Sequence, residues 1–172
     1  AKGGAGLIIQ EATCISPEGR LSEDQLGIWS DDQIPGLREI TDAVHQEGCP
    51  IFVQLHHAGL VSIGQDTLCP SDYAMDTKKG WKNGHEMTRN DILRIRDAFI
   101  RAAVRAEKAG YDGVELHGCH GYLLCQFLNN RVNRRTDEYG KPERLVLEIL
   151  EGIRASVWQD FVVGIRLGAF EP

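Results

Sequence analysis

The chain has 172 residues and a formal net charge of −6; 42% of its residues are hydrophobic and 26% charged. That is enough chain for one domain with a real core, so residues 1–172 are read as a single domain. The mildly acidic balance argues against a nucleic-acid or anionic-membrane partner, and no apolar run approaches the ~20 residues of a membrane-spanning helix.

Five cysteines, Cys14, Cys49, Cys69, Cys119 and Cys125, form an odd set with no CxxC pair. A disulfide framework or a structural zinc site is therefore not expected, and a reducing cytoplasm fits best. The opening Ala1–Gly6 is neither a signal peptide nor a usual start.

In chain order, Gly6–Glu11 is a short apolar run that predicts a buried parallel strand. Ala12–Ser30 is rich in Pro, Gly and charge and is expected to be a functional loop. A helix is predicted from Asp32 to Glu47, capped by Ser30 or Asp31, with Ile34, Leu37, Ile40 and Val44 on one face and Gly48 at its C-terminal stop. Pro50–Leu55 is the next strand, with His56-His57-Ala58-Gly59 at its end. Leu60–Met87 is polar and without period, so it is expected to be irregular.

Thr88-Arg89-Asn90-Asp91 resembles a capping box with Asp in place of Glu. The helix behind it carries the stripe Ile92, Ile95, Phe99, Ala102, Ala106 and Ala109, and Gly110 ends it. Gly113–His117 is a strand that runs into the polar turn Gly118–Tyr122, and Gln126–Gly140 is expected to be a polar loop. Pro142 opens a further helix with Val146, Ile149, Ile153 and Val157 on one side, and Phe161–Leu167 is the last strand. Strands alternating with helices call for a parallel sheet covered by helices. No GxGxxG follows the first strand, and the polar residues gather at strand C-termini. The predicted fold class is α/β, a TIM (β/α)8 barrel of which four visible strands make about half; the family resemblance set out below implies that they are roughly strands 2 to 5.

The chemistry centres on His117, His120 and Tyr122. Two imidazoles three residues apart can grip a polar substrate oxygen while a phenol supplies a proton. The same spacing suits a metal, and the histidines can also simply cap the turn. Gln54 shares a strand face with Phe52 and His56, so its amide needs a partner there, either water, backbone or a cofactor ring with adjacent donor and acceptor atoms. Arg166, on a face with Val162 and Gly164, needs an anion if buried: Glu115, Glu11 or an anionic cofactor. Gly164 leaves the backbone open to close approach. Cys119 and Cys125 are read as small apolar fillers, and Arg131–Arg135 as a solvated or salt-bridged loop.

Taken in order, these pieces resemble the Old Yellow Enzyme family of FMN-dependent NADH:flavin oxidoreductases. The resemblance runs through Gly6–Thr13, Gly27-Ile28-Trp29, Gln54–Gly59, His117–Leu124 with Gln126-Phe127-Leu128, and Asn133–Gly140. Leu60 departs from it, standing where many members have Arg. The resemblance implies a TIM barrel that holds FMN at the strand C-termini, with Ala12 and Gln54 against the flavin ring and Arg166 near its N1–C2=O edge. It implies that His117 and His120 bind a substrate carbonyl oxygen and that Tyr122 protonates the α-carbon. The implied reaction is an ene-reduction: NADH or NADPH reduces FMN, and hydride passes from flavin N5 to the activated C=C of an α,β-unsaturated carbonyl compound. The implied partner is a small-molecule substrate, with a homo-oligomer left open. Two other readings stand beside it: a metal-dependent barrel hydrolase built on His56, His117 and His120, and a non-catalytic fragment. Residues 1–172 alone are expected to bind FMN weakly, since a half-barrel exposes two sheet edges.

Overall fold

In the computed structural model, residues 1–64, 66–77 and 80–169 are described. Strand β1 (Ile8–Cys14) leads to α1 (Ile34–His45) and then β2 (Ile51–His56). Three short strands follow, β3 (Asp66–Cys69), β4 (Tyr73–Thr77) and β5 (Gly80–Glu86). Helix α2 (Arg89–Lys108), β6 (Gly113–Gly118), α3 (Leu123–Leu128), α4 (Arg144–Arg154) and β7 (Val162–Leu167) complete the described elements.

The main sheet has four strands in the order β1-β2-β6-β7, and each neighbouring pair is parallel. The alternating strands and helices therefore build the expected parallel α/β half-barrel, with β1 and β7 at its two edges. One face of each inner strand feeds the core. Ile51, Val53 and Leu55 of β2 and Val114 and Leu116 of β6 are buried with Ile92, Ile95, Phe99, Ala102 and Ala106 of α2 and Leu145, Ile149 and Ile153 of α4. The opposite face, by the period of two, carries Gln54 and His56 on β2 and Glu115 and His117 on β6.

Both helix starts behave as their sequences require. Ser30 and Gln33 form a reciprocal capping box at a 3-10 turn (Asp31–Gln33) that leads into α1, and Pro35 lies in the first turn of α1. Thr88 accepts from the Asp91 N–H at 3.2 Å while Asp91 Oδ2 accepts from the Thr88 N–H at 3.0 Å, so Asp fills the role usually taken by Glu. The six residues of the expected α2 stripe are all fully buried.

Four expectations need correction. Strand β1 runs on to Cys14, past the boundary at Glu11, because Thr13 and Cys14 pair with Leu55 and His56 after a register shift. On α1, Ile40 is 36% exposed and Thr41 takes the buried position, its hydroxyl donating to Ala109 O at 2.7 Å. Leu60–Met87 is not irregular: β3, β5 and β4 form a second sheet, with β3–β5 parallel and β4–β5 antiparallel. The stretch read as loop from Gln126 begins inside α3, whose residues Leu123, Leu124, Cys125, Gln126 and Phe127 are buried.

Arg135 ties the second sheet to the loop that follows α3. Its side chain is only 5% exposed and reaches Asp137 at 2.5 Å and Glu86 at 3.3 Å, and it donates to Pro70 O and Met87 O. Of the Arg131–Arg135 run, this residue is therefore structural rather than solvated.

Candidate active site

The loops after β2 and β6 are fastened together before any chemistry is considered. Leu123 N donates to His57 O at 3.1 Å. Gln126, buried on α3, accepts from Leu60 N at 3.1 Å and donates to Ala58 O at 3.2 Å and Gly121 O at 2.7 Å. Gly59 has φ +59°, and a Cβ there would come within 2.3 Å of Gln126 Oε1, so the amide can lie against this backbone only because the residue is glycine. Sequence reading placed Gln126 in a family motif without a role. Its partners lie 5 and more than 60 residues away, so no local pattern announces them.

The fastened loops gather four aromatic rings. His117 lies 5.2 Å from His120, 4.8 Å from Tyr122 and 5.2 Å from His56 between ring centroids. The His56 ring lies 4.5 Å from that of Tyr122, edge to face, and His120 to Tyr122 is 6.4 Å. The expected trio His117, His120 and Tyr122 is thus brought together, with His56 as a fourth member. His120 takes φ +60°, a left-handed conformation uncommon outside glycine, with Gly121 following at +72°. This turn reverses the chain so that an exposed His120 faces a buried His117.

His56 is fully buried, and among the described residues neither of its ring nitrogens meets a hydrogen-bond partner. Loss of solvent, with smaller contributions from His117 and His57, pushes its pKa down to about 3. His57 is pushed down to about 4, again chiefly by burial. Its Nδ1 accepts from Gly59 N at 3.0 Å, so it serves as a neutral loop pin.

Gln54 and Glu115 are register partners, and Gln54 Nε2 donates to Glu115 Oε1 at 2.6 Å. The amide's partner is therefore a carboxylate on the next strand, an alternative the sequence reading did not weigh. Arg166 is the register partner of His117 across β6 and β7. It is exposed, and among the described residues it pairs with neither Glu115 nor Glu11, the two protein anions weighed for it. The reason is positional: β7 is an edge strand with no described neighbour on its far side. A Cβ on Gly164 would meet only Val114 O at 3.9 Å, so the face beside Arg166 is open. Ala12 is half-buried within the register shift of β1, and its carbonyl accepts from Gln25 Nε2 at 2.8 Å. Bulges of this kind re-aim backbone groups beside active sites.

The ligand atoms of His117, Cys119 and His120 lie within 4.8 Å of one another. His56 is not in that group, so the trio of the hydrolase reading is not the one the fold assembles; Cys119, read from sequence as a filler, stands in its place.

Comparison with known proteins identifies the family. The profile of the NADH:flavin oxidoreductase / NADH oxidase family matches residues 1–172. An NADPH dehydrogenase of Geobacillus sp. (strain WCH70) is 42% identical over 174 residues, covering 98% of this chain and 50% of its own length. The old yellow enzyme homologue from Zymomonas mobilis superposes with a TM-score of 0.86 at 36% identity, over 96% of this chain and 51% of that one. Morphinone reductase in complex with tetrahydroNAD gives a TM-score of 0.85 at 34% identity, over 96% and 52%. The chain thus spans about half the length of the relatives it matches. With its half-barrel fold, its ordered motifs and a profile match from end to end, the chain belongs to the NADH:flavin oxidoreductase / NADH oxidase family.

Proposed function

We propose that this chain supplies the substrate-binding half of an FMN-dependent oxidoreductase that uses NADH or NADPH to reduce the activated C=C of α,β-unsaturated carbonyl compounds. The observation that carries the reading is the grouping of His117, His120 and Tyr122 within 6.4 Å at the end of β6, beside a cation, Arg166, on the register partner of His117. The nicotinamide analogue bound to the morphinone reductase relative supports NAD(P)H as the reductant.

The residues present suit FMN. Gln54 offers an amide on the inner face, Arg166 a cation without an ion pair among the described residues, Gly164 an open backbone and Ala12 a strand irregularity. These residues would hold the flavin ring, and Arg166 would offset negative charge on it. When bound, FMN supplies the hydride chemistry, taking a hydride from NAD(P)H and giving it to the substrate β-carbon.

The chain's own residues do the rest. His117 and His120 donate hydrogen bonds to the substrate carbonyl oxygen and draw electron density from the double bond, which makes the β-carbon electrophilic. The Tyr122 hydroxyl delivers a proton to the α-carbon. His56, kept neutral by burial, adds no competing charge beside His117. The pinned loops hold these groups without reorganisation, which is where electrostatic catalysis gains most. A reducing cytoplasm remains our reading of the setting, supported by five free cysteines; no helix among the described residues is long and apolar enough to cross a membrane.

The test is steady-state oxidation of NADPH and NADH by the full-length protein with 2-cyclohexenone, the product identified by gas chromatography. Formation of cyclohexanone supports the proposal. Oxidation of the nicotinamide with no saturated ketone formed rejects it.

A further inference from the structure

The His117-Gly118-Cys119-His120 turn brings together three groups that are good ligands for a borderline-soft divalent cation, and nothing in a carbonyl-binding role calls for the thiol. The ligand atoms of His117, Cys119 and His120 lie within 4.8 Å of one another. Cys119 Sγ and His117 Nδ1 are 3.7 Å apart. With zinc bonds of about 2.3 Å to sulfur and about 2.0–2.1 Å to nitrogen, that separation gives an angle of roughly 115° at the metal, close to tetrahedral. The third ligand, His120, is exposed at the mouth of the turn. A thiolate with two imidazoles is a set that favours zinc over magnesium or calcium.

We propose that His117, Cys119 and His120 form a zinc-binding site that, when filled, takes the histidine pair away from the substrate carbonyl and so inhibits the reductase. Binding is balanced by one proton: the Cys119 thiol loses its hydrogen to solvent as the S–Zn bond forms, and the two imidazoles bind as neutral donors. The fourth position is taken by water, as in three-ligand zinc sites. The cation enters from the side of His120, where a cavity lined by His120, Gly121, Cys125, Gln126 and Asn129 opens to solvent. The inhibitory half of the proposal rests on the ene-reductase reading; the binding half does not.

The probe is cobalt(II), then zinc. The chain is stripped with chelator and titrated with Co²⁺. One equivalent should give an intense near-ultraviolet thiolate-to-cobalt band and visible bands of tetrahedral cobalt, both displaced by Zn²⁺. Cys119→Ala should abolish the thiolate band. Cys119→Ala and His120→Ala should each weaken binding more than about 100-fold, since even outer-shell partners of a metal contribute 10–100-fold. Cys49→Ser, remote from the turn, should leave the band intact. A thiolate band that survives in Cys119→Ala, or cobalt binding without any such band, would overturn the site. In the full-length protein, zinc should raise the apparent KM for the enone without changing the limiting rate. Inhibition that enone does not relieve would overturn the inhibitory role. A protein that shows the cobalt band but reduces no enone when metal-free would sink the functional reading and leave the site standing.

Discussion

His117 stands directly opposite Arg166 in the parallel pairing of β6 and β7. The two side chains share one face of the sheet at the strand ends, His117 buried and Arg166 exposed on the edge strand. On the proposed reading this pairing sets the substrate donor and the flavin cation in one frame, because a shift of one residue in register would turn either side chain to the other face.

Replacing His117 with Ala should lower kcat for enone reduction by about 10²–10³-fold, the usual cost of losing one donor to a developing oxyanion. Reduction of the flavin by NADPH should change far less, because that half-reaction does not use the carbonyl grip. Stopped-flow measurement of the two half-reactions checks the split.

Arg166→Met should weaken FMN binding and lower the flavin midpoint potential, by about 30 mV for each 1.4 kcal/mol of lost two-electron stabilisation. Thermal stability of the FMN-free protein should be unchanged, since Arg166 is exposed and makes no ion pair among the described residues. A Tm loss without a potential shift would assign Arg166 a structural role instead.

Gln126→Ala should destabilise the fold by about 2–4 kcal/mol, because it leaves the buried Leu60 N–H and the Ala58 carbonyl without their partner. Gln126→Glu keeps the acceptor for Leu60 and should fall between wild type and Ala. Urea unfolding of the three proteins gives the order.

The buried histidines predict a pH dependence of stability. His56 and His57 are held at about 3 and about 4, below the ordinary histidine value of 6.5. Between those values the unfolded chain binds protons that the folded chain does not, so stability falls as pH drops from about 6.5 toward 4. Each histidine contributes a slope of up to about 1.4 kcal/mol per pH unit. His56→Phe should flatten the slope in urea titrations run between pH 4.5 and 7. An unchanged slope would mean that His56 titrates normally.

Much of this fold was legible because its core elements carry strong periods. The α2 stripe, the Thr88–Asp91 capping box and the apolar strands at β2 and β6 are each specified by neighbours within a few residues. The second sheet was not legible, because β5 reads Gly-Trp-Lys-Asn-Gly-His-Glu, with no apolar alternation to betray a strand. Helix α3 has six residues, five of them buried, too short a run to show a helical period. At the site, His117, His120 and Tyr122 were found because they are local to one turn. The Gln126 clamp and the Gln54–Glu115 bond were not, because each joins residues about 60 positions apart. Whether Arg166 is buried was not legible, because a strand sequence does not reveal whether it lies inside a sheet or at its edge.

The most direct test of the central claim is an anaerobic flavin cycle in the full-length protein, followed by its visible absorption. NADPH or NADH should bleach the flavin band, and 2-cyclohexenone should restore it while saturated cyclohexanone does not. Restoration should slow about 10²–10³-fold in His117→Ala. A flavin that is bleached but not reoxidised by the enone, or reoxidised equally fast without His117, would contradict the assignment of this turn as the carbonyl-binding site.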